Sequence, residues 1–213
     1  MKKYIKHYLI ALMVLLGTTG SSSLFAQHSG IWHFQYDMGI PLGNTKDFTN
    51  AFSARGFGLE GQGYVTDNIS IGGRFAWNVY YDDLGWTLDH FSYTNEDGKK
   101  TEIDAWSYKK HYLNIMPLMA TAHYTFNSNR LIPYIGFGVG TYYIEARRQT
   151  GIYIITMDKW HFGLAPEAGV VIPFGQTSNW GLDLNVRYNW AAKTKDTDTQ
   201  TWINTSVGIS YFW

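Results

Sequence analysis

Trp180-Gly181-Leu182-Asp183-Leu184-Asn185-Val186-Arg187-Tyr188-Asn189-Trp190 is the stretch on which the fold turns. Its even positions are apolar or aromatic, and its odd positions are glycine, amides and charges. Successive side chains of a β-strand point to opposite faces, so this reads as a strand with one oily side and one polar side. Aromatic residues stand at both of its ends. Seven more runs of the same kind occupy about residues 30–40, 52–65, 69–81, 106–126, 131–145, 160–174 and 201–213. No segment among them shows a sustained 3.6-residue period with helix caps. In the fourth run Leu113 and Ile115 favour one parity while Met116, Leu118, Ala120, Ala122, Tyr124 and Phe126 favour the other. A bulge near Pro117 is expected to reconcile the halves, because proline in a ladder sits at bulges and edges.

The connections alternate in length. Residues 66–68, 127–130 and 175–179 are short and carry turn chemistry; residues 41–51, 82–105, 146–159 and 191–200 are longer and polar. Long and short in strict alternation is the signature of an up-and-down meander with tight turns on one rim and loops on the other.

Two features point to a barrel in lipid. The apolar faces end in aromatic rings (Trp180 with Trp190, Trp160 with Phe174), and such rings favour the bilayer interface. The opposite faces carry Asp37, Glu60, Arg74, Glu167, Asp183 and Arg187. A transmembrane barrel turns its apolar face outward and lines its interior with polar groups, and its strands close because no backbone group can go unpaired in lipid. The expected fold is all-β: an eight-stranded antiparallel up-and-down transmembrane β-barrel. The competing architectures are a β-sandwich and a soluble lipocalin-type barrel, the latter needing an apolar interior and a polar exterior.

Composition agrees. The chain has 213 residues with 9 Trp, 16 Tyr and 12 Phe, 22 Gly, no Cys, and 17 basic against 17 acidic side chains. Zero net charge argues against a nucleic-acid partner, which needs a basic face. Zero cysteines exclude a disulfide framework, a thiolate metal site and a Cys nucleophile. A mean hydropathy of −0.22 excludes a polytopic helical membrane protein. Residues 1–26 read as a secretory signal peptide: Lys2, Lys3 and Lys6 precede the apolar run 8–16, then small residues 17–23, with cleavage expected after Ala26. A single transmembrane anchor is the other reading of that run. Removing the 26 residues leaves 187, residues 27–213, with 14 basic side chains against 17 acidic.

The last residues, Gly208-Ile209-Ser210-Tyr211-Phe212-Trp213, end the chain inside an alternating strand on a terminal aromatic. This resembles the C-terminal signature of bacterial outer-membrane barrels. Residues 56–60, 64–72 and 133–140 (Pro-Tyr-Ile-Gly-Phe-Gly-Val-Gly), with Asn114-Ile115-Met116-Pro117-Leu118, resemble the outer-membrane β-barrel domain family, the OmpA/OmpX-like small barrels. The resemblance implies a Gram-negative outer membrane and periplasmic termini. It implies four surface loops and contact with the bilayer and lipopolysaccharide. It also implies that Tyr211, Phe212 and Trp213 are a signal read by the outer-membrane assembly machinery. The peptidoglycan-binding domain of the two-domain OmpA arrangement is not expected.

The six lumen charges are expected to form a structural ion-pair network, since eight strands enclose just enough space for side chains. Their competing role is a selectivity filter or proton-linked gate. His90-Phe91-Ser92, with Asp89 and Glu96, is the one candidate for nucleophilic chemistry. It departs from the lipid A deacylase pattern, because it lies in a long loop and Tyr93 follows the serine. His123 and His161 are expected as interface or lumen side chains, and the seven histidines show no metal spacing. No cofactor is expected. Residues 152–157 (IYIITM) are apolar enough to be an exposed ribbon continuing the fifth and sixth strands, whose edge can recruit a partner strand. The expected role is therefore non-enzymatic, structural or in surface interaction through an extracellular ligand or protein. The rivals are a narrow channel and, further off, a lipid A hydrolase.

Overall fold

A computed structural model describes residues 29–94, 98–126, 131–175 and 178–213. The leader expected at 1–26 and the turn expected at 127–130 lie outside the described residues.

Eight strands, β1 (Gly30–Leu42), β2 (Gly56–Tyr64), β3 (Ile69–Thr94), β4 (Lys100–Thr125), β5 (Ile132–Thr150), β6 (Tyr153–Pro173), β7 (Trp180–Ala191) and β8 (Gln200–Phe212), pair each with the next. β8 returns to β1 through twelve paired positions from Ile31↔Phe212 to Leu42↔Thr201, which closes the sheet. Every contact is antiparallel. Closure follows from the two-sided character of the strands: their oily face cannot be covered by another sheet when the polar face is the one that fills the interior. Phe34, Ile71, Leu118, Ile135, Val186 and Ile209 all stand on the outside, Leu118 with 59% of its surface exposed. A continuous apolar band of this kind is stable only against hydrocarbon. Paired rings flank it at both rims: Trp180 with Tyr211 at 4.7 Å near the short turns, Tyr143 with Trp160 at 5.2 Å near the other end.

Three expectations are corrected. Residues 82–105 are mostly not a loop, and in residues 146–159 the paired ribbon reaches beyond the stretch 152–157 expected to form a ribbon. β3 and β4 stay paired as far as Thr94↔Lys100, and β5 and β6 as far as Thr150↔Tyr153. Above the membrane both faces of a hairpin meet water, so nothing demands an apolar side and the alternation that reveals a strand disappears. Cross-strand pairs hold the ribbon instead, such as Trp86 edge-on to Tyr108 at 5.6 Å and Lys109 with Asp89. The bulge is not at Pro117. β3 and β4 keep one register from Ile69↔Tyr124 to Asp83↔Lys110, and it shifts between Asp83 and Gly85, where Gly85 takes a φ of 66°. Leu113 and Ile115 need no change of parity because they point inward, into an apolar layer of the lumen. Residues 41–51 contain a short helix, α1 (Gly43–Phe48), at the mouth opposite the chain termini.

The candidate functional site in the barrel lumen

The interior is built in three layers. Nearest the short turns, Ile31, Tyr134 and Val171 make a small apolar floor. At the far end Tyr80, Leu113, Ile115, Tyr142, Ile144 and Trp202 make a larger apolar roof, against which Phe48 of α1 packs. The helix is fastened over that roof. Thr45 Oγ1 donates to Gln200 Oε1 and accepts from the Thr201 amide, both at 2.9 Å, and the Phe48 ring stacks on His111 at 4.6 Å. Tyr80, Ile115, Tyr142 and Trp202 have no accessible surface at all.

Between floor and roof lies the charged layer. Asp37, Glu60, Arg74, Glu167, Asp183 and Arg187 are all buried there, contributed by β1, β2, β3, β6 and β7. Arg74 donates to Asp37 Oδ2 at 2.6 Å, stands 3.6 Å from Glu60, and also donates to Gln35. Arg187 donates to Glu60 Oε2 at 3.0 Å and to Glu167. Asp183 is not paired with an arginine. It accepts from Gln35 Nε2 at 2.5 Å and from the Tyr134 hydroxyl at 3.1 Å, with His33 Nδ1 at 3.4 Å. Two guanidiniums face four carboxylates, and the imidazoles of His33 and His123 stand where that surplus lies. His123 Nε2 is 2.7 Å from Glu167 and 3.2 Å from Glu60.

Burial of so many ions is tolerable because each is hydrogen-bonded by a neighbour of the right kind. Ser206 donates to Asp37 at 2.7 Å, and Asn185 to Glu167 at 2.6 Å. Inward-facing glycines provide the room. A Cβ on Gly58 would strike the Arg74 guanidinium, and one on Gly136 the His123 ring and Glu167.

The six charges expected on inward faces are buried, and His33, Gln35, Asn185 and Ser206, which sequence parity leaves unnamed as their partners, bond to them. The signal was present: all four have inward parity in runs otherwise read as lipid-facing ribbons. His161 is also inward and buried, its Nδ1 2.8 Å from the Ala192 carbonyl.

Glu60, His123 and Glu167 bring ligand-type atoms within 4.8 Å of one another. The residues do not fit a resident cation: Arg187 sits on both carboxylates and Arg74 approaches one. The candidate at His90 and Ser92 lies on the β3 extension. His90 Nδ1 is 2.6 Å from Asp104 across the ribbon, and no hydrogen bond joins His90 to Ser92 among the described residues. At the C-terminus, Trp213 O accepts from the Ser29 and Gly30 amides at 2.9 and 3.0 Å, and Phe212 N donates to Asn179 O at 2.8 Å. Tyr211 pairs with Trp32 in β1 and with Trp180 in β7.

The model of the outer membrane protein β-barrel domain matches residues 11–211. No curated protein matches the chain in sequence. Among solved structures, Neisserial surface protein A is similar at 14% identity, covering 85% of this chain and 96% of that one with a TM-score of 0.54. The attachment invasion locus protein Ail of Yersinia pestis, solved with the heparin analogue sucrose octasulfate, is similar at 14% identity, covering 87% and 97% with a TM-score of 0.51. At these identities the likeness is one of fold. With a closed eight-stranded barrel, an apolar belt between aromatic rims and a family model spanning nearly its whole length, this chain belongs to the outer membrane protein β-barrel domain family and resides in the outer membrane.

Proposed function

We propose that this is a non-enzymatic outer-membrane protein in which a sealed barrel serves as a rigid mount for two hairpins that meet an external partner. The leader at 1–26 would direct export and be removed, and Tyr211-Phe212-Trp213 would be read during assembly into the membrane.

The observation that carries the proposal is the division between a filled interior and a projecting exterior. Tyr80, Ile115, Tyr142 and Trp202 leave no accessible surface for a water to pass. The cavity on the floor, between His33, Gln62, Tyr134 and Val171, measures about 10 Å³, enough for about one water. A conducting pore needs a continuous wet path, which speaks against the filter role for the charged layer. A hydrolase needs its base within reach of its nucleophile, and no hydrogen bond joins His90 to Ser92 among the described residues. The hairpins, by contrast, expose Trp86, Tyr93, Ile103, Trp106 and Ile154 to the outside. Exposed aromatic and branched side chains on a stiff ribbon suit binding, because little entropy is lost on contact.

The test has three arms. The purified full chain in planar bilayers should give no discrete conductance steps. Lipid A from expressing cells should keep its mass. Cells bearing the full chain should adhere to a surface or to other cells more than cells bearing a barrel with residues 84–107 replaced by a tight turn. Conductance steps, a lipid A mass change or equal adhesion would each overturn the reading.

A further inference from the structure

The exposed edges of the two hairpins fit each other. β3 pairs with β2 only as far as Asn78↔Gly56, and its continuation, residues 83–94, has no strand on that side among the described residues. β6 pairs with β7 only from Gly163↔Ala191 downward, which leaves residues 153–160 with no strand on that side among the described residues. Both edges rise from the same rim of the barrel. A strand edge presents unpaired N–H and C=O groups and recruits another strand unless it is blunted. The β3 edge is blunted at its base by the bulge between Asp83 and Gly85, and the β6 edge at its base by Asp158 and Lys159, but beyond these β6 shows Ile154, Ile155 and Met157, each more than half exposed, and β3 shows Trp86 and Leu88.

Strand direction selects the occupant. With the termini at the short-turn rim, β3 runs away from the membrane and β6 runs toward it. The β6 edge of one barrel and the β3 edge of an upright neighbour are therefore antiparallel, the arrangement that a ladder accommodates most readily. Two β6 edges in one membrane run parallel instead. The β4 edge at residues 100–107, which has no strand on the side away from β3 among the described residues, also runs antiparallel to β3, but that contact sets one acidic hairpin against its own copy. Residues 82–110 carry seven acidic and four basic side chains, whereas residues 145–160 carry two acidic and three basic. Charge thus favours β6 against β3.

The two edges also lie on opposite sides of the barrel. Four strands, β3 to β6, separate them in one direction around the wall, and the other four separate them in the other. A contact between different patches placed half a turn apart does not close into a ring; it propagates into a row.

We infer that the occupant of these edges is a second copy of this chain, the β6 edge of one barrel adding to the β3 edge of the next to form head-to-tail rows in the outer membrane. This rests on the proposed surface-interaction role and specifies one partner for it.

The chain has no cysteine, so introduced thiols report alone. Leu88→Cys and Ile155→Cys are placed together in the full chain, expressed in the outer membrane and treated with a bismaleimide. A second pair, Trp86→Cys with Met157→Cys, guards against a slip in register, and heat-modified migration establishes that every variant is folded. Either pair should give a ladder of dimers and higher species. The single variants should remain monomeric, and two singles expressed together should stop at the dimer. Monomers from both double variants overturn the inference, as does cross-linking of Ile155→Cys alone, which would mark a two-fold contact. If both pairs stay monomeric while trimming residues 84–107 still abolishes adhesion, self-association fails and the wider surface role survives.

Discussion

Arg187 of β7 reaches across the lumen to Glu60 of β2 at 3.0 Å, although 127 residues separate them in sequence and three strand steps separate them around the wall. It also holds Glu167 on the neighbouring β6. One guanidinium thus ties opposite walls of the barrel together at the level where nothing apolar supports them.

Removing that tie leaves two buried carboxylates short of a cation. Arg187→Ala should destabilise the barrel by about 3–5 kcal/mol, the usual cost of breaking a buried ion pair from one side. Arg74→Ala should act in the same direction through Asp37. The midpoint of the heat-modified gel shift measures both. An unchanged midpoint for Arg187→Ala would show that the charged layer carries no structural load.

The glycines opposite the large inward groups make a sharper comparison. Gly136→Ala places a methyl group into the His123 ring and the Glu167 side chain, and overpacking of this sort typically costs about 1–3 kcal/mol. Gly63→Ala meets only the Ser29 carbonyl, at 3.8 Å. The first substitution should lower the unfolding midpoint and the second should leave it nearly unchanged. Equal midpoints for the two would mean that the lumen has slack.

How much of this was legible in the sequence depended on what each face of a strand touches. β7 could be read without ambiguity because its outer face meets lipid and its inner face meets ions, so Leu182, Leu184 and Val186 contrast with Asp183, Asn185 and Arg187 at every step. Leu113 and Ile115 misled because the roof of the lumen is apolar, and parity alone does not say which oily face points inward. The extension of β3 was hidden because water on both sides removes any pattern, whereas that of β6 showed itself through the apolar run at residues 152–157. His123 could be placed on a strand but not in the ion network: its partners come from β2 and β6, and which strands face each other across a lumen is a property of closure.

The roof predicts its own test. Trp202 is fully buried, edge-on to Tyr142 at 4.8 Å, with its indole N–H donating to Asn204 Oδ1 at 2.9 Å. Trp202→Ala should cost about 3–5 kcal/mol, the range for deleting a large aromatic from a packed core. Trp202→Phe should cost less, since it keeps most of the ring packing and loses the hydrogen bond. Urea-induced unfolding in lipid vesicles gives both values. If Trp202→Ala is no less stable than Trp202→Phe, the roof is not packed as described.

Above the membrane, the base of the β3–β4 ribbon should respond to acid. At the bulge, Asp83 accepts from the hydroxyls of Tyr108 and Tyr81 at 3.0 and 2.9 Å and from the Gly85 amide at 3.1 Å. These bonds, that from Tyr108 foremost, favour the charged carboxylate and hold its pKa below the ordinary aspartate value. The salt link from Lys109 and the Ser107 hydroxyl do the same for Asp89. A carboxyl depressed in the folded state contributes its full stabilisation above the unfolded value near ~3.9 and loses it as pH falls through the lower folded value. The ribbon base should therefore hold unchanged from neutral pH down to about 4 and loosen only beneath that. The Gly85 amide resonance, followed by NMR in nanodiscs, should titrate with a midpoint under ~3.9, and Asp83→Asn should abolish that step. A Gly85 midpoint at or above the ordinary aspartate value would mean that the two tyrosines do not hold the carboxylate, and the rigid mount for the ribbon would have to lie elsewhere.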